Sequence, residues 1–190
     1  LQRILGLKYL DQINRINSFV KKNAFSIPKD LKPIIFISQM EHHSNQITWL
    51  DGGSDVIVVP TNEKGVINLE FLEKQLIKYK TRKIKIGSFT ACSNVTGIGN
   101  PIYDLARMMH KYNGYCFVDF AAAAPYIKID MNPKDKKSKL NAIFFSPHKF
   151  LGGPGTPGVL IFDKKLYPDW LPPENPGGGT VKWTNPWGGR

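Results

Sequence analysis

The sequence predicts an α/β fold, a three-layer αβα arrangement with a mostly parallel sheet. Two observations predict it. Short apolar runs alternate with amphipathic stretches at the spacing of βαβ units. Most of the runs are apolar throughout, as strands covered on both faces must be. With 190 residues, the chain is one domain or part of a larger one, since single domains take roughly 100–200 residues.

The elements follow in order. Ile4, Leu7, Leu10, Ile13 and Val20, with Phe19 beside them, recur near helical spacing and predict an opening helix. No cap residue precedes it, so the sequence reads as starting inside a helix. Ile34–Ile37 and Val56–Val59 predict strands. Leu69–Tyr79 predicts an amphipathic helix with Asn68 as its cap. Lys83–Phe89 predicts a strand, and Pro101–Tyr112 a helix with proline at its first position. Tyr115–Val118, Ala142–Phe145 and Val159–Phe162 predict three further strands. Residues 1–166 therefore form one unit. Residues 167–190 change character, with Trp170, Pro172, Pro173, Gly177–Gly179, Trp183 and Trp187, and read as a loop or docking segment.

Composition excludes some classes. Hydrophobic residues make up 42% and charged residues 22%, ordinary globular usage that argues against disorder. No apolar run approaches the ~20 residues of a membrane span, and no basic-then-apolar leader opens the sequence. The two cysteines, Cys92 and Cys116, build no disulfide framework and read as small buried hydrophobes. A reducing, cytoplasmic compartment fits them best. The net charge of +11 invites an anionic partner. Its lysines are spread over Lys21–Lys22, Lys78–Lys85, Lys134–Lys139 and Lys164–Lys165, without interleaved aromatics. A solvated surface is the better reading than a nucleic-acid interface.

Ligands of such sheets bind beyond the carboxyl ends of the strands. Asn94 follows the Lys83–Phe89 strand, Asp119 ends the next, and Ser146, His148 and Lys149 follow Ala142–Phe145. Asp119 closes a buried apolar strand, where a carboxylate is costly unless paired. It reads as a metal ligand, a general base, a partner of a cationic ring nitrogen, or a cap for Ala121–Ala124. Lys149 sits behind Ser146 and His148 and ahead of Gly152, Gly153 and Gly155. A partly desolvated lysine loses its proton and attacks a carbonyl as a Schiff-base nucleophile; a surface lysine in a glycine-rich turn is the plainer reading. Glu41-His42-His43 has zinc-type residues, but adjacent histidines diverge and the His-Glu-x-x-His spacing is absent. A histidine that stacks on or hydrogen-bonds a ligand fits better than a metal site. Gly97-Ile98-Gly99 lacks the full dinucleotide fingerprint, and no Walker-type loop occurs.

Taken in order, four segments resemble the class V aminotransferases, the pyridoxal-phosphate enzymes of fold type I that include cysteine desulfurases and selenocysteine lyases. They are Met40–Asn45; Ser93–Gly97 with Pro101-Ile102; Val118-Asp119 with the alanine run and Pro125; and Phe145–Lys149 with Gly153-Pro154 and Gly158–Leu160. The resemblance implies that Lys149 forms a Schiff base with pyridoxal 5'-phosphate. It implies that Asp119 pairs with the ring nitrogen and that His42 stacks on the ring. Ser146 and His148 would hold the phosphate, and Asn94 would lie near the phenolic oxygen and the substrate carboxylate. Gly177–Thr180 resembles a loop reaching the site across a homodimer interface, which brings in Thr180. The substrate class is an amino acid, with desulfuration, β-elimination and transamination all open. The glutamine that the desulfurases carry three residues after the aspartate is Ala122 here. The family's upstream phosphate loop and its C-terminal small domain have no counterpart in the sequence, which reads as the central part of the large domain and is expected to lack full activity alone. A degenerate, non-catalytic relative that binds a partner protein stays open as the alternative, and a basic nucleic-acid binder ranks behind it.

Overall fold

A computed structural model describes residues 1–20, 27–167 and 183–189. Among them, six strands form one sheet: β1 Ile34–Ser38, β2 Asp55–Val59, β3 Lys85–Thr90, β4 Tyr115–Asp119, β5 Ala142–Phe145 and β6 Val159–Phe162. The spatial order is β2-β1-β3-β4-β5-β6. All neighbours pair in parallel except β5 and β6, which are antiparallel. Four helices accompany it: α1 Lys8–Phe19, α2 His43–Leu50, α3 Leu69–Lys78 and α4 Ile102–Lys111. A short pair, β7 Thr184–Asn185 and β8 Gly188–Gly189, lies in the tail. The rest of the predicted docking segment, 168–182 and Arg190, lies outside the described residues.

The three layers follow from alternation along the strands. Ile34 and Phe36 of β1 point to one side, where they pack with Leu72 and Leu76 of α3 and Leu105, Ala106 and Met109 of α4. Ile35 and Ile37 point to the other, where they meet Leu7, Trp49 of α2, Ile86 and Phe117. β1 and β3 are buried along their whole length, β1 as its apolar run predicts and β3 with Lys85, Ser88 and Thr90 buried among its residues. The outer strands are not: Val58 on β2 and Leu160 and Ile161 on β6 are exposed.

Three local differences from the sequence expectation have identifiable causes. Residues 2–7 form turns ahead of α1, because Gly6 takes a left-handed φ of +69° and interrupts the helical path. Pro101 stands one position outside α4, its carbonyl accepting from the Leu105 amide at 3.0 Å. Helix α2 has no counterpart among the predicted elements. Its only buried residues are Asn45 and Trp49, so it carries no apolar stripe to announce it.

Topology positions the site. The chain leaves β1 for α2 on one face and leaves β3 for α4 on the other. β1 and β3 are neighbours, so their carboxyl ends flank the switch point of the sheet, the usual ligand position in such folds.

Candidate active site

Asp119 closes β4, opposite Thr90 of β3 and Phe144 of β5. It is 8% exposed. One oxygen, Oδ1, accepts from the Ala121 amide at 2.7 Å and starts the turn through the alanine run. The helix-cap reading of Asp119 is corrected: Ala121–Ala124 form turns rather than a helix, and Oδ1 bonds the amide two residues on. Oδ2 makes no hydrogen bond among the described residues. Burial pushes the carboxyl above its ordinary range, opposed by the Ala121 amide and by the positive charges of Lys149 and His42.

The β5 end supplies the lysine. Ser146 precedes a single 3-10 turn, Pro147–Lys149, and its hydroxyl caps nothing. Pro147 at the start of that turn fixes φ where no amide donor is needed. His148 and Lys149 are exposed. The chain then folds back beneath them. Gly152 takes φ +74°, and a Cβ on Gly153 would collide with the Pro147 carbonyl oxygen. Glycine is required there for the loop to close behind the lysine.

The opposite wall comes from α2. His42 is its N-cap, extended at φ −60° and ψ 139°, and its ring nitrogen Nδ1 accepts from the Ser44 amide at 3.3 Å. An accepting Nδ1 leaves the proton of a neutral ring on Nε2. The rings of His42 and His43 lie 4.4 Å apart and tilted by 40°, so the two side chains do not diverge as adjacent histidines were expected to. Among the described residues, no three histidine, cysteine or acidic side chains gather as a metal-ligand set.

These pieces share one open cleft of about 870 Å³, lined among others by His42, Asp119, Ser146, His148 and Lys149. Five residues singled out from the sequence thus come together from three strand ends. Asn94 does not line this cleft. It is exposed at the tip of the loop after β3, where the Ser93 hydroxyl accepts from the Val95 and Thr96 amides at 3.2 Å each. Thr180 lies outside the described residues. Sequence reasoning missed Arg3 and Lys8, which also line the cleft; no pattern marks them, because they arrive through the packing of the opening segment. It also passed over Glu41 as anything but a zinc-type neighbour of His42. The signal was its place directly between a buried strand and a helix cap.

The family profile described as Aminotransferase class-V matches residues 16–186. A probable cysteine desulfurase of Halalkalibacterium halodurans is 34% identical over 151 residues, covering 77% of this chain and 35% of the relative. A cysteine desulfurase of Escherichia coli is 33% identical over the same share of each. The crystal structure of the Escherichia coli cysteine desulfurase CsdA superposes with TM-score 0.69 at 22% identity, covering 97% of this chain and 50% of that one. The apo cysteine desulfurase of Thermococcus onnurineus gives 0.66 at 20% identity, covering 97% and 49%. These solved structures show the fold. The chain belongs to the class V aminotransferase family, and it spans about 35% of the length of the curated relatives it matches.

Proposed function

We propose that this chain is the cofactor-binding segment of a pyridoxal-phosphate-dependent enzyme acting on an amino acid. The observation that carries the reading is the convergence of Lys149, Asp119 and His42 on one cleft at the carboxyl ends of the strands. The donor set fits the cofactor. Asp119 keeps Oδ2 for an N–H partner, and the Ser146 hydroxyl is uncommitted. Pyridoxal phosphate, when bound, supplies a protonated ring that withdraws electrons from the substrate α-carbon.

The residues of the chain do the rest. Asp119, itself buried, would accept a hydrogen bond from the ring nitrogen and favour its protonated form, a charge-assisted bond. His42 would stack on the ring, the role the family resemblance gives it. Lys149 would hold the cofactor through Nζ and, when not so engaged, would carry a proton to or from the substrate α-carbon. Ser146 and His148 would donate to the phosphate oxygens, and Arg3 and Lys8 line the same cleft. Asn94 and Thr180 belong to the proposal through the family resemblance alone, Thr180 reaching the site of the partner in a homodimer. Residues 1–166 are proposed as the cofactor-binding unit and 167–190 as a loop toward that interface or toward the C-terminal part of the parent protein. Cysteine desulfuration is the reaction the relatives' names favour. Both cysteines are free, and burial pushes the Cys116 thiol up; a cytoplasmic location is part of the proposal.

The test is an absorbance spectrum of the parent protein mixed with pyridoxal phosphate, before and after borohydride. A visible band that reduction fixes onto Lys149, absent in Lys149→Ala, is the expected result. A folded protein that gives no such band refutes the reading.

A further inference from the structure

In doubly wound sheets the switch-point crevice is where a ligand sits, because the two loops part and leave strand-end amides exposed. Here the crevice between β1 and β3 is already filled. Oε1 of Glu41 accepts from the Ser38 amide at 3.2 Å, the Ser38 hydroxyl at 2.5 Å and the Thr90 amide at 2.8 Å. Oε2 accepts from Asn45 Nδ2 at 2.8 Å. The four donors come from the end of β1, the end of β3 and the first turn of α2. Asn45 is itself fixed. Its Oδ1 accepts from Trp49 Nε1 at 3.0 Å and from the Ser88 hydroxyl at 2.9 Å, and Nδ2 lies 3.4 Å from the Ser88 carbonyl.

We propose that Glu41 is the positioning residue of the cleft: its carboxyl, seated in the switch-point crevice, clamps α2 to β1 and β3 and so sets the separation of His42 from Asp119. His42 lies on the backbone between the two ends of the Glu41–Asn45 bond. Thr90, which the other oxygen holds, is the register partner of Asp119. With the crevice closed by the protein's own anion, the ligand space opens instead toward β4, β5 and β6. The cleft lining agrees, taking Asp119, Phe144, Phe145, Val159 and Leu160 and nothing from the loop after β3. Burial raises the Glu41 carboxyl above its ordinary range despite the four donors. A buried carboxyl is retained there at a desolvation cost that its four donors offset, as expected of a group kept for geometry.

The inference rests on the assignment of His42 and Asp119 as the two groups that hold the ring. Its test is a cycle in the parent protein. Glu41→Gln keeps the shape but turns an N–H donor toward Asn45 Nδ2, which cannot rotate without losing Trp49 and Ser88. Adding Asn45→Asp restores an acceptor opposite that donor. Glu41→Gln is expected to weaken pyridoxal-phosphate binding roughly tenfold to a hundredfold, the range known for outer-shell partners of metal ligands. It should also change the induced circular dichroism of the bound cofactor, and the double variant should recover both. His42 ring signals in the apo protein, followed by NMR, should broaden in Glu41→Gln and sharpen again in the double variant. Wild-type affinity and dichroism in Glu41→Gln overturn the proposal. So does a loss that Asn45→Asp fails to restore while the melting temperature of the two variants is the same. A wild-type protein that binds no cofactor refutes the functional reading instead, and the NMR cycle then decides the role of Glu41 by itself.

Discussion

The two ends of the sheet treat charge in opposite ways. At the amino-terminal end, acids meet bases. Asp55 at the start of β2 pairs with Lys32 and with Arg82, which is only 4% exposed. Lys139, just before β5, holds Asp163, just after β6, at 2.6 Å. Arg107 reaches Asp135 at 3.1 Å beside the Ser138 hydroxyl. The carboxyls of Asp55, Asp135 and Asp163 accordingly fall below their ordinary range: at Asp55 burial is the largest single influence and raises it, but the hydrogen bonds and charges of Lys32 and Arg82 together outweigh it, while hydrogen bonds from Ser138 and Lys139 lead at Asp135 and Asp163. At the carboxyl end, Glu41 and Asp119 are raised by burial. One end is satisfied and stabilises the fold. The other buries two carboxyls, of which Glu41 is filled by four donors while Asp119 keeps Oδ2 without a hydrogen bond among the described residues, capacity a ligand can use.

Substitutions can break this contrast, and the largest effect is expected at Lys149. Lys149→Ala should lower activity of the parent enzyme by at least about 10²–10⁴-fold, the range for loss of a general acid–base, with the apo melting temperature unchanged within error. Steady-state assays beside calorimetry check both halves.

Asp119→Asn should separate function from stability. The isosteric amide removes a charge that burial opposes, so the apo protein should melt a few degrees higher, at ~2–4 °C per kcal/mol for a domain of this size. Cofactor binding, followed by the visible band, should be lost or greatly weakened. Asp55→Ala is the counterpart. It leaves the Arg82 guanidinium buried with only the Lys32 carbonyl among its hydrogen-bond partners. A cost of about 2 kcal/mol is expected, less than the ~3–5 of a fully buried pair, because Asp55 keeps 35% of its side chain exposed. Urea unfolding should show this drop with cofactor affinity intact. If Asp55→Ala weakens cofactor binding at unchanged stability, the division between the two ends is wrong.

The pH dependence of stability carries both signs. Glu41 and Asp119 bind protons more tightly folded than unfolded. Their contribution is complete below the ordinary carboxylate range and is lost as pH rises through their raised folded values. Asp55 and Asp163 behave oppositely, contributing fully above the ordinary range and losing it as pH falls through their lowered values. Melting temperature measured from neutral to strongly acidic pH should first gain from the cleft carboxyls and then fall. Asp119→Asn should flatten the gain, and Asp163→Asn should flatten the fall. The smallest effect belongs to a site far from either cluster. Asn68→Ala removes the cap bond to the Phe71 amide, 2.9 Å in length, and should cost about 1 kcal/mol without touching the cleft.

The strands were legible in the sequence because their cause is local. Ile34–Ile37 and Ala142–Phe145 are continuous apolar runs, and such runs form covered strands in any context that buries them. The Asn68 cap was legible for the same reason, a side chain bonding an amide three residues on. Helix α2 was not, since its stability comes from Trp49 packing into the sheet and from a bond between Asn45 and the tryptophan ring. The direction of β6 was not legible either. An apolar run of this length is the same whether its neighbour is parallel or antiparallel.

The candidate site divides along the same line. His42, Asp119, Ser146, His148 and Lys149 stood out in the sequence because a polar residue at the end of a buried strand carries a cost that calls for a reason. That much the chain determines by itself, through chemistry each residue carries wherever it folds. Which of them share a cleft was decided by the strand order, which places the ends of β4 and β5 side by side and brings α2 over them. The role of Glu41 is wholly tertiary. Its four donors belong to three elements, with Ser38 and Thr90 separated by 52 positions in the chain, and only the parallel pairing of β1 with β3 brings those amides to one carboxylate.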